Sequence, residues 1–178
     1  MSTDSEEEQK IMQEREVEVE PILDFALSVN EPIEKILYNE PVIVKKETKL
    51  KDAIKLFDEN DVGCVLVVDN NKKLIGIFTE RDIVRKLIGK GEEILNETIE
   101  KYMTLNPDAL YLTDPVAYAL NRMAAGGYRH IPLVNEQNEP VGFVSIKSIV
   151  EHLADYYSNE ILNLPPSPHT KQVKREGG

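Results

Sequence analysis

Apolar residues in the middle of the chain alternate between two spacings. Leu50, Ala53, Ile54 and Phe57 stand at i, i+3, i+4 and i+7, and Val116, Ala119, Leu120 and Met123 repeat that stripe. A stripe of this period is one face of an amphipathic helix. Thr48 and Asp114 stand where helix N-caps are expected, and Pro115 suits a first helical turn. Each stripe is preceded by a short extended segment, Val42-Ile43-Val44 or Ala109-Leu110-Tyr111. Each is followed by a continuous apolar run, Cys64–Val68 or Ile131–Val134, of the kind that forms a strand buried on both faces. Polar turns come next, Asp69-Asn70-Asn71-Lys72 and Asn135-Glu136-Gln137-Asn138. A second strand, Leu74–Phe78 or Val141–Val144, closes a hairpin in each half. Ile83, Val84, Leu87 and Ile88, then Ile149, Val150, Leu153 and Ala154, predict a closing helix in each. The unit is β-α-β-β-α, and it occurs twice.

The two units superpose without a gap. Ile33–Leu87 moved forward by 66 falls on Ile99–Leu153 with ten identities in 55 positions, including Ile33-Glu34-Lys35 on Ile99-Glu100-Lys101 and Gly76 on Gly142. Gly76 permits close backbone approach within its hairpin. A unit of this size is marginal alone because it buries too little of its surface, and a packed pair solves that problem. The expected fold is α/β (α+β): two tandem β-α-β-β-α repeats related by a pseudo-two-fold axis, with clefts where the sheets meet. The expected division is an acidic, flexible leader at 1–30, a first repeat at 31–92, a second at 93–160 and a flexible tail at 161–178.

Composition narrows the chemistry. The chain has 178 residues and a formal net charge of −11, and eight acids against Lys10 and Arg15 put −6 in the first twenty residues. Such a chain repels phosphate backbones, which argues against nucleic-acid binding. The acidic opening is unlike an export leader, and no apolar run is long enough to cross a bilayer. One cysteine, Cys64, excludes an intrachain disulfide, and with no export signal it favours the cytoplasm. His130, His152 and His169 lie too far apart for a metal-ligand spacing. No nucleophile elbow, phosphate loop or metal cluster is present, and Cys64 sits within an apolar run, so an enzyme is not expected.

Two segments carry a family resemblance. Val67-Val68-Asp69 followed by Leu74-Ile75-Gly76-Ile77-Phe78-Thr79-Glu80-Arg81-Asp82-Ile83 resembles the signature of a CBS domain, the module named after cystathionine β-synthase. Arg129-His130-Ile131-Pro132-Leu133-Val134 followed by Val141-Gly142-Phe143-Val144-Ser145-Ile146-Lys147-Ser148 resembles it again, and Ile99–Thr104 fits the family's opening segment. The likeness covers roughly 31–157. It implies a stand-alone CBS pair: a regulatory module that binds AMP, ADP, ATP or S-adenosylmethionine between the repeats, does no chemistry itself and forms disc-like homodimers.

The resemblance also implies site residues. Asp82 would accept two hydrogen bonds from the ribose hydroxyls, with Thr79 and Arg81 beside it at the start of a helix. An alternative for the same pair is structural, with Thr79 capping the helix and Asp82 opposing its dipole. Arg129 and His130, ahead of Ile131 and Pro132, would reach a phosphate; a surface ion pair and a structural histidine are the alternatives. The base pocket would come from the opposite repeat, at Tyr111, Leu112, Thr113, Asp114, Val116 and Ala119, unless Tyr111 faces outward. A weaker second cleft would use Lys45, Thr48, Ser145, Lys147 and Ser148, because Ser148 replaces the aspartate and cannot grip a diol. AMP is favoured as ligand. A scaffold that uses the pair only for association is the alternative function, and Leu23-Asp24-Phe25-Ala26-Leu27 is a candidate docking helix for the module or for a partner protein.

Overall fold

The computed structural model describes residues 28–36 and 38–156. The leader, the Leu23–Leu27 segment and the tail expected from sequence lie outside the described residues, apart from residues 28–30. In the first repeat, β1 (Ile43–Lys45) leads to α1 (Leu50–Asn60), β2 (Cys64–Val68) and β3 (Leu74–Thr79). A closing helix, α2, spans 80–87: an α-helical turn at Glu80–Asp82 runs into a π-helical turn at Ile83–Leu87. The second repeat has α3 (Val116–Gly126), β5 (His130–Val134), β6 (Pro140–Ser145) and α4 (Ile146–Tyr156). A two-residue strand, β4 (Thr104–Leu105), lies between them in sequence. The tandem α/β architecture read from the sequence is therefore the observed one.

The sheets follow one plan. In the first, β1 runs parallel to β2, β3 runs antiparallel to β2, and β4 adds antiparallel to β3. In the second, β5 and β6 pair antiparallel, and single bridges at Leu110–Leu133 and Asn39–Phe143 stand where β1 and β4 would be. The register shifts at Val67/Val68 and again at Leu133/Val134, so even the irregularity repeats at the same offset. The strand expected at Ala109–Tyr111 is thus reduced to one bridge, and Pro132 explains why. Leu66 donates its N–H to the Val42 carbonyl at 2.8 Å to hold β1. Its counterpart Pro132 has no N–H to donate, so the chain before Leu110 is not tied to β5 by that bond.

Each repeat completes its core with the segment that leads into the other. Ile33 and Ile36 pack with Val116, Ala119, Met123, Ile131 and Leu133 of the second repeat. Ile99, Tyr102 and Met103 pack with Leu50, Ala53, Phe57, Val65 and Phe78 of the first. Ile33 and Ile99, identical under the offset, are both fully buried. The exchange also fills the helix starts. Leu50 N–H donates to the Glu97 carbonyl, and Val116 N–H donates to the Glu31 carbonyl, both at 2.9 Å. These backbone acceptors satisfy donors that a side-chain cap would otherwise serve. Lys49 and Pro115 are accordingly the N-cap residues, neither with a side-chain cap bond. The capping expected of Thr48 and Asp114 is corrected: the Asp114 carboxylate accepts from Tyr111 N–H at 2.8 Å and closes a turn instead.

Two glycines make the exchange possible. A Cβ on Gly76 would lie 2.4 Å from the Met103 sulfur, and one on Gly142 would lie 2.9 Å from the Asn39 carbonyl oxygen. The close approach allowed by Gly76 is therefore to the exchanged segment. Between the repeats, Cys64, Leu66, Leu74, Ile77, Val134 and Phe143 form a third apolar layer. Burial there pushes the Cys64 thiol far above its usual range, so it stays a protonated core group.

Ile33→Ala and Ile99→Ala should each cost about 2–5 kcal/mol, because a fully buried isoleucine is removed from a packed core. Each should lower the whole urea unfolding curve as one transition, since each residue belongs to one repeat in sequence and the other in packing. Two separated transitions in either variant would contradict the exchange.

Candidate functional site

Two clefts flank the plane between the repeats, and the 66-residue offset relates them. The larger has a volume of about 860 Å³ and is lined by Thr79, Arg81, Asp82, Arg85 and Lys86 from the end of β3 and α2, and by Gly127, Tyr128, Arg129 and His130 ahead of β5. The smaller, about 330 Å³, is lined by Ser145, Lys147, Ser148 and Glu151 and by Asp61, Val62 and Gly63. The helix starts are pinned in matching fashion. Glu80 N–H donates to the Gly63 carbonyl at 3.2 Å, and Ile146 N–H donates to the Arg129 carbonyl at 2.9 Å.

Thr79 and Asp82 form a reciprocal cap. The Asp82 Oδ2 accepts from Thr79 N–H at 2.9 Å and from the Thr79 hydroxyl at 2.7 Å, while Asp82 N–H donates to Thr79 Oγ1 at 3.3 Å. The structural role weighed from sequence is thus present, and it holds the carboxylate at the cleft wall. Its other oxygen, Oδ1, meets Lys86 Nζ at 2.8 Å, and that ammonium also donates to the Tyr102 carbonyl at 2.6 Å. An ionised carboxylate has about four acceptor sites, so Asp82 keeps capacity on Oδ1. In the second repeat, Ser145 Oγ and Ser148 Oγ lie 2.8 Å apart and Ser148 N–H donates to Ser145 Oγ at 3.0 Å. The cap is conserved in form between the two helix starts, but the carboxylate is absent.

The facing wall of the large cleft is not the one expected. Thr104, Asn106, Pro107, Asp108 and Tyr128 line it. Tyr111, Thr113, Asp114, Val116 and Ala119 do not: Val116 and Ala119 are fully buried in the second core, and Tyr111 is exposed elsewhere. Ile131 and Pro132 are likewise buried in β5 and behind the cleft surface. Pairing of β4 with Gly76 and Ile77 brings 104–108 beside Thr79, and the donor missing at Pro132 leaves that stretch unpaired with β5. Sequence pattern shows neither event, because a two-residue strand has no periodicity to read. Lys45 and Thr48 do not line the small cleft; they lie at the end of β1 and in the turn before α1.

Asp108 organises part of this wall. It accepts from the Tyr128 hydroxyl at 2.5 Å and from Arg122 at 3.0 Å. The Tyr128 hydrogen bond, with Arg122 beside it, holds the Asp108 carboxyl below its ordinary value. Burial, reinforced by Asp108, pushes the Tyr128 phenol up to about 12. A Cβ on Gly126 would lie 2.0 Å from the Tyr128 ring, so glycine there gives the ring its place. Arg81 donates to the Gly127 carbonyl and ties α2 to the end of α3. Four cations, Arg81, Arg85, Lys86 and Arg129, face three carboxylates, Glu80, Asp82 and Asp108, in a chain that is strongly acidic overall. The large cleft therefore carries a local positive excess, suited to an anionic group.

His130 stands between the clefts, edge-on to Phe143 with ring centroids 5.9 Å apart. Burial, with Arg129 and Arg81 nearby, holds its imidazole below the ordinary histidine value. The folded protein therefore binds this proton less readily than the unfolded chain does. His130's contribution to stability is intact above about pH 6.5 and is lost as pH falls through that value toward the lower folded one. Urea midpoints measured from pH 7 to pH 5 should fall less steeply for His130→Gln than for the unmodified chain; equal slopes would remove this account of His130.

Comparison with known proteins agrees with this architecture. The family model of the CBS domain matches residues 33–89 and again 99–155, more than half of the chain, and the chain belongs to the CBS domain family. An uncharacterized 17.7 kDa protein of Acidianus ambivalens is 30% identical over 116 residues, covering 65% of this chain and 69% of that one. The next curated relatives are longer, and the chain spans less than half of each. Among solved structures, the CBS domain pair of protein MJ0100, in complex with 5′-methylthioadenosine and S-adenosyl-L-methionine, matches with a TM-score of 0.62 at 24% identity, covering 68% of this chain and 98% of that one. CBSX2 in complex with AMP matches with a TM-score of 0.60 at 20% identity, covering 71% and 98%. CBS pairs of this kind are ligand-binding regulatory modules. Among the described residues, no helix is long and apolar enough to cross a membrane, and no group of histidine, cysteine and acidic side chains is placed to hold a metal ion.

Proposed function

We propose that this chain is a regulatory, non-catalytic sensor whose large cleft binds an adenosine-containing ligand, AMP in preference to ADP, ATP or S-adenosylmethionine. The observation that carries the reading is the opening of the Asp82 carboxylate and the Arg129 guanidinium onto one cleft of about 860 Å³. A cavity of that size accommodates a nucleotide. Asp82 would take the ribose hydroxyls on its Oδ1 edge as Lys86 turns toward the phosphate. Tyr128 and the 104–108 stretch would face the base. Arg85 and Arg129 would neutralise the phosphate, a charge that favours AMP over a sulfonium ligand. The AMP and S-adenosylmethionine complexes of the two fold neighbours support an adenosine ligand at the level of the fold.

The Ser145–Ser148 pair suggests the cleanest test. Asp82→Ser keeps a hydroxyl cap of the type already present at the other helix start and removes only the carboxylate. Calorimetry should show AMP affinity lower by roughly tenfold or more, since charge-assisted hydrogen bonds are worth about 1.5–3 kcal/mol each. In thermal-shift assays, AMP at about 100 times its dissociation constant should stabilise the unmodified chain by about 2.7 kcal/mol. Full affinity in Asp82→Ser would remove the proposed ribose contact. No response of the unmodified chain to AMP, ADP, ATP or S-adenosylmethionine would favour a ligand-free scaffold.

Signalling would follow from a shift in the relative set of the repeats, read by a second copy or a partner protein. Val84 within α2 and Ile88 just after it are 61% and 72% exposed, and Val150 on α4 is 56% exposed. A homodimer that covers these apolar residues belongs to the proposal. Val84→Glu combined with Val150→Glu should halve the mass seen by light scattering; an unchanged mass would exclude this face as the contact.

A further inference from the structure

The two clefts share a wall. Gly63, Glu80, Arg129 and His130 line both. The offset that relates the repeats sets Gly63 against Arg129 and Cys64 against His130, so only the second repeat sends a guanidinium and an imidazole to this position. A Cβ on Gly63 would lie 2.6 Å from His130 Nε2. The first repeat therefore yields the space that the second repeat's imidazole occupies, and one arginine is left to serve both sides. Among the described residues no ion pair fixes Arg129, whereas Lys147 of the small cleft is paired with Glu151 at 3.8 Å. The small cleft presents Asp61, Glu80 and Glu151 to Arg129, and the large cleft presents Glu80, Asp82 and Asp108.

We propose that Arg129 is a shared specificity residue whose side chain is apportioned between the clefts, so that negative charge gathered in the small cleft weakens nucleotide binding in the large one. This inference rests on the proposed AMP site. Arg129 carries one planar guanidinium on one side chain, so a rotamer that aims its fork into one cleft turns it from the other. Drawing it toward one cleft removes a charge-assisted contact from the other, and the coupling is reciprocal by linkage. An anionic ligand in the large cleft would thus leave the small cleft to an uncharged one.

A double-mutant cycle isolates the coupling. Lys147 lines only the small cleft, and its side chain is 83% exposed, so Lys147→Glu adds negative charge there without disturbing packing. AMP affinity measured by calorimetry should fall about fivefold in Lys147→Glu, a loss typical of coupled neighbouring sites. In the Arg129→Gln background, where AMP binds more weakly, the same Lys147→Glu change should leave affinity unaltered. An equal loss in both backgrounds, or no loss in either, would overturn the sharing of Arg129 and leave the proposed ligand standing. Absence of AMP binding to the unmodified chain would instead bring down the ligand assignment, and this inference with it.

Discussion

The fold depends on a reciprocal burial. Ile33, which opens the first repeat, is enclosed by the second, and Ile99, which opens the second, is enclosed by the first. A half of this length has only a marginal interior of its own. Exchange of the lead-in segments gives each half a core it could not complete from its own strands and helices. The same segments supply the Glu31 and Glu97 carbonyls to the starts of α3 and α1. One backbone excursion therefore provides core packing, helix-end hydrogen bonding and a fixed distance between the repeats. The clefts exist because that distance is fixed.

Departures from symmetry, rather than symmetry itself, give the clefts their chemistry. Pro132 for Leu66 removes one strand hydrogen bond and frees the chain at 104–108 to face the large cleft. Asp82 for Ser148 puts a carboxylate on one helix start and a neutral hydroxyl on the other. Gly127-Tyr128-Arg129 for Asp61-Val62-Gly63 puts an aromatic ring and a guanidinium on one side of the axis. The change at Asp82 falls at a helix end, whereas Pro132 stays buried, as its counterpart Leu66 is, and gives up one hydrogen bond on the strand's outer edge. The fold can thus keep two equivalent frames while furnishing them differently.

Much of this was legible before any coordinates. The helical stripes, the hairpins and the gapless offset follow from side-chain periodicity, which local burial imposes directly. Thr79, Arg81, Asp82, Arg129 and His130 were expected at a cleft from the family resemblance, whereas a hydroxyl and an acid three residues apart mark by themselves only a helix start. The facing wall was not. Tyr111, Thr113 and Asp114 carry suggestive side chains, but their position is set by a turn that Asp114 closes on Tyr111 N–H. Thr104 and Asn106 carry no pattern, and their place follows from a two-residue strand that pairs with β3 across the repeat boundary. Long-range pairing of so short a segment leaves no periodic trace. The exchange was hidden for a related reason: Ile33-Glu34-Lys35 and Ile99-Glu100-Lys101 are visible as a repeated motif, but a motif does not say which core receives it.

Electrostatics tie these levels together. The chain as a whole repels anions, yet four cations line the large cleft. Two of them are already committed: Arg81 holds the end of α3, and Lys86 joins Asp82 to the exchanged segment at Tyr102. Arg85 and Arg129 are the cations that would, on the proposed reading, meet a ligand's charge. The committed pair nevertheless matters, because on the proposed reading a ribose at Asp82 would share Oδ1 with Lys86, and Lys86 reaches the segment that closes the first core. Lys86 also lies in the π-helical turn, whose Ile88 N–H to Ile83 carbonyl bond of 3.3 Å spans one residue more than an α-helical bond. Such a turn is a local departure from the regular ladder and yields more easily than the regular α4 opposite it. Contact at the sugar would thereby be felt in α2, along the surface where Val84 and Ile88 stand exposed.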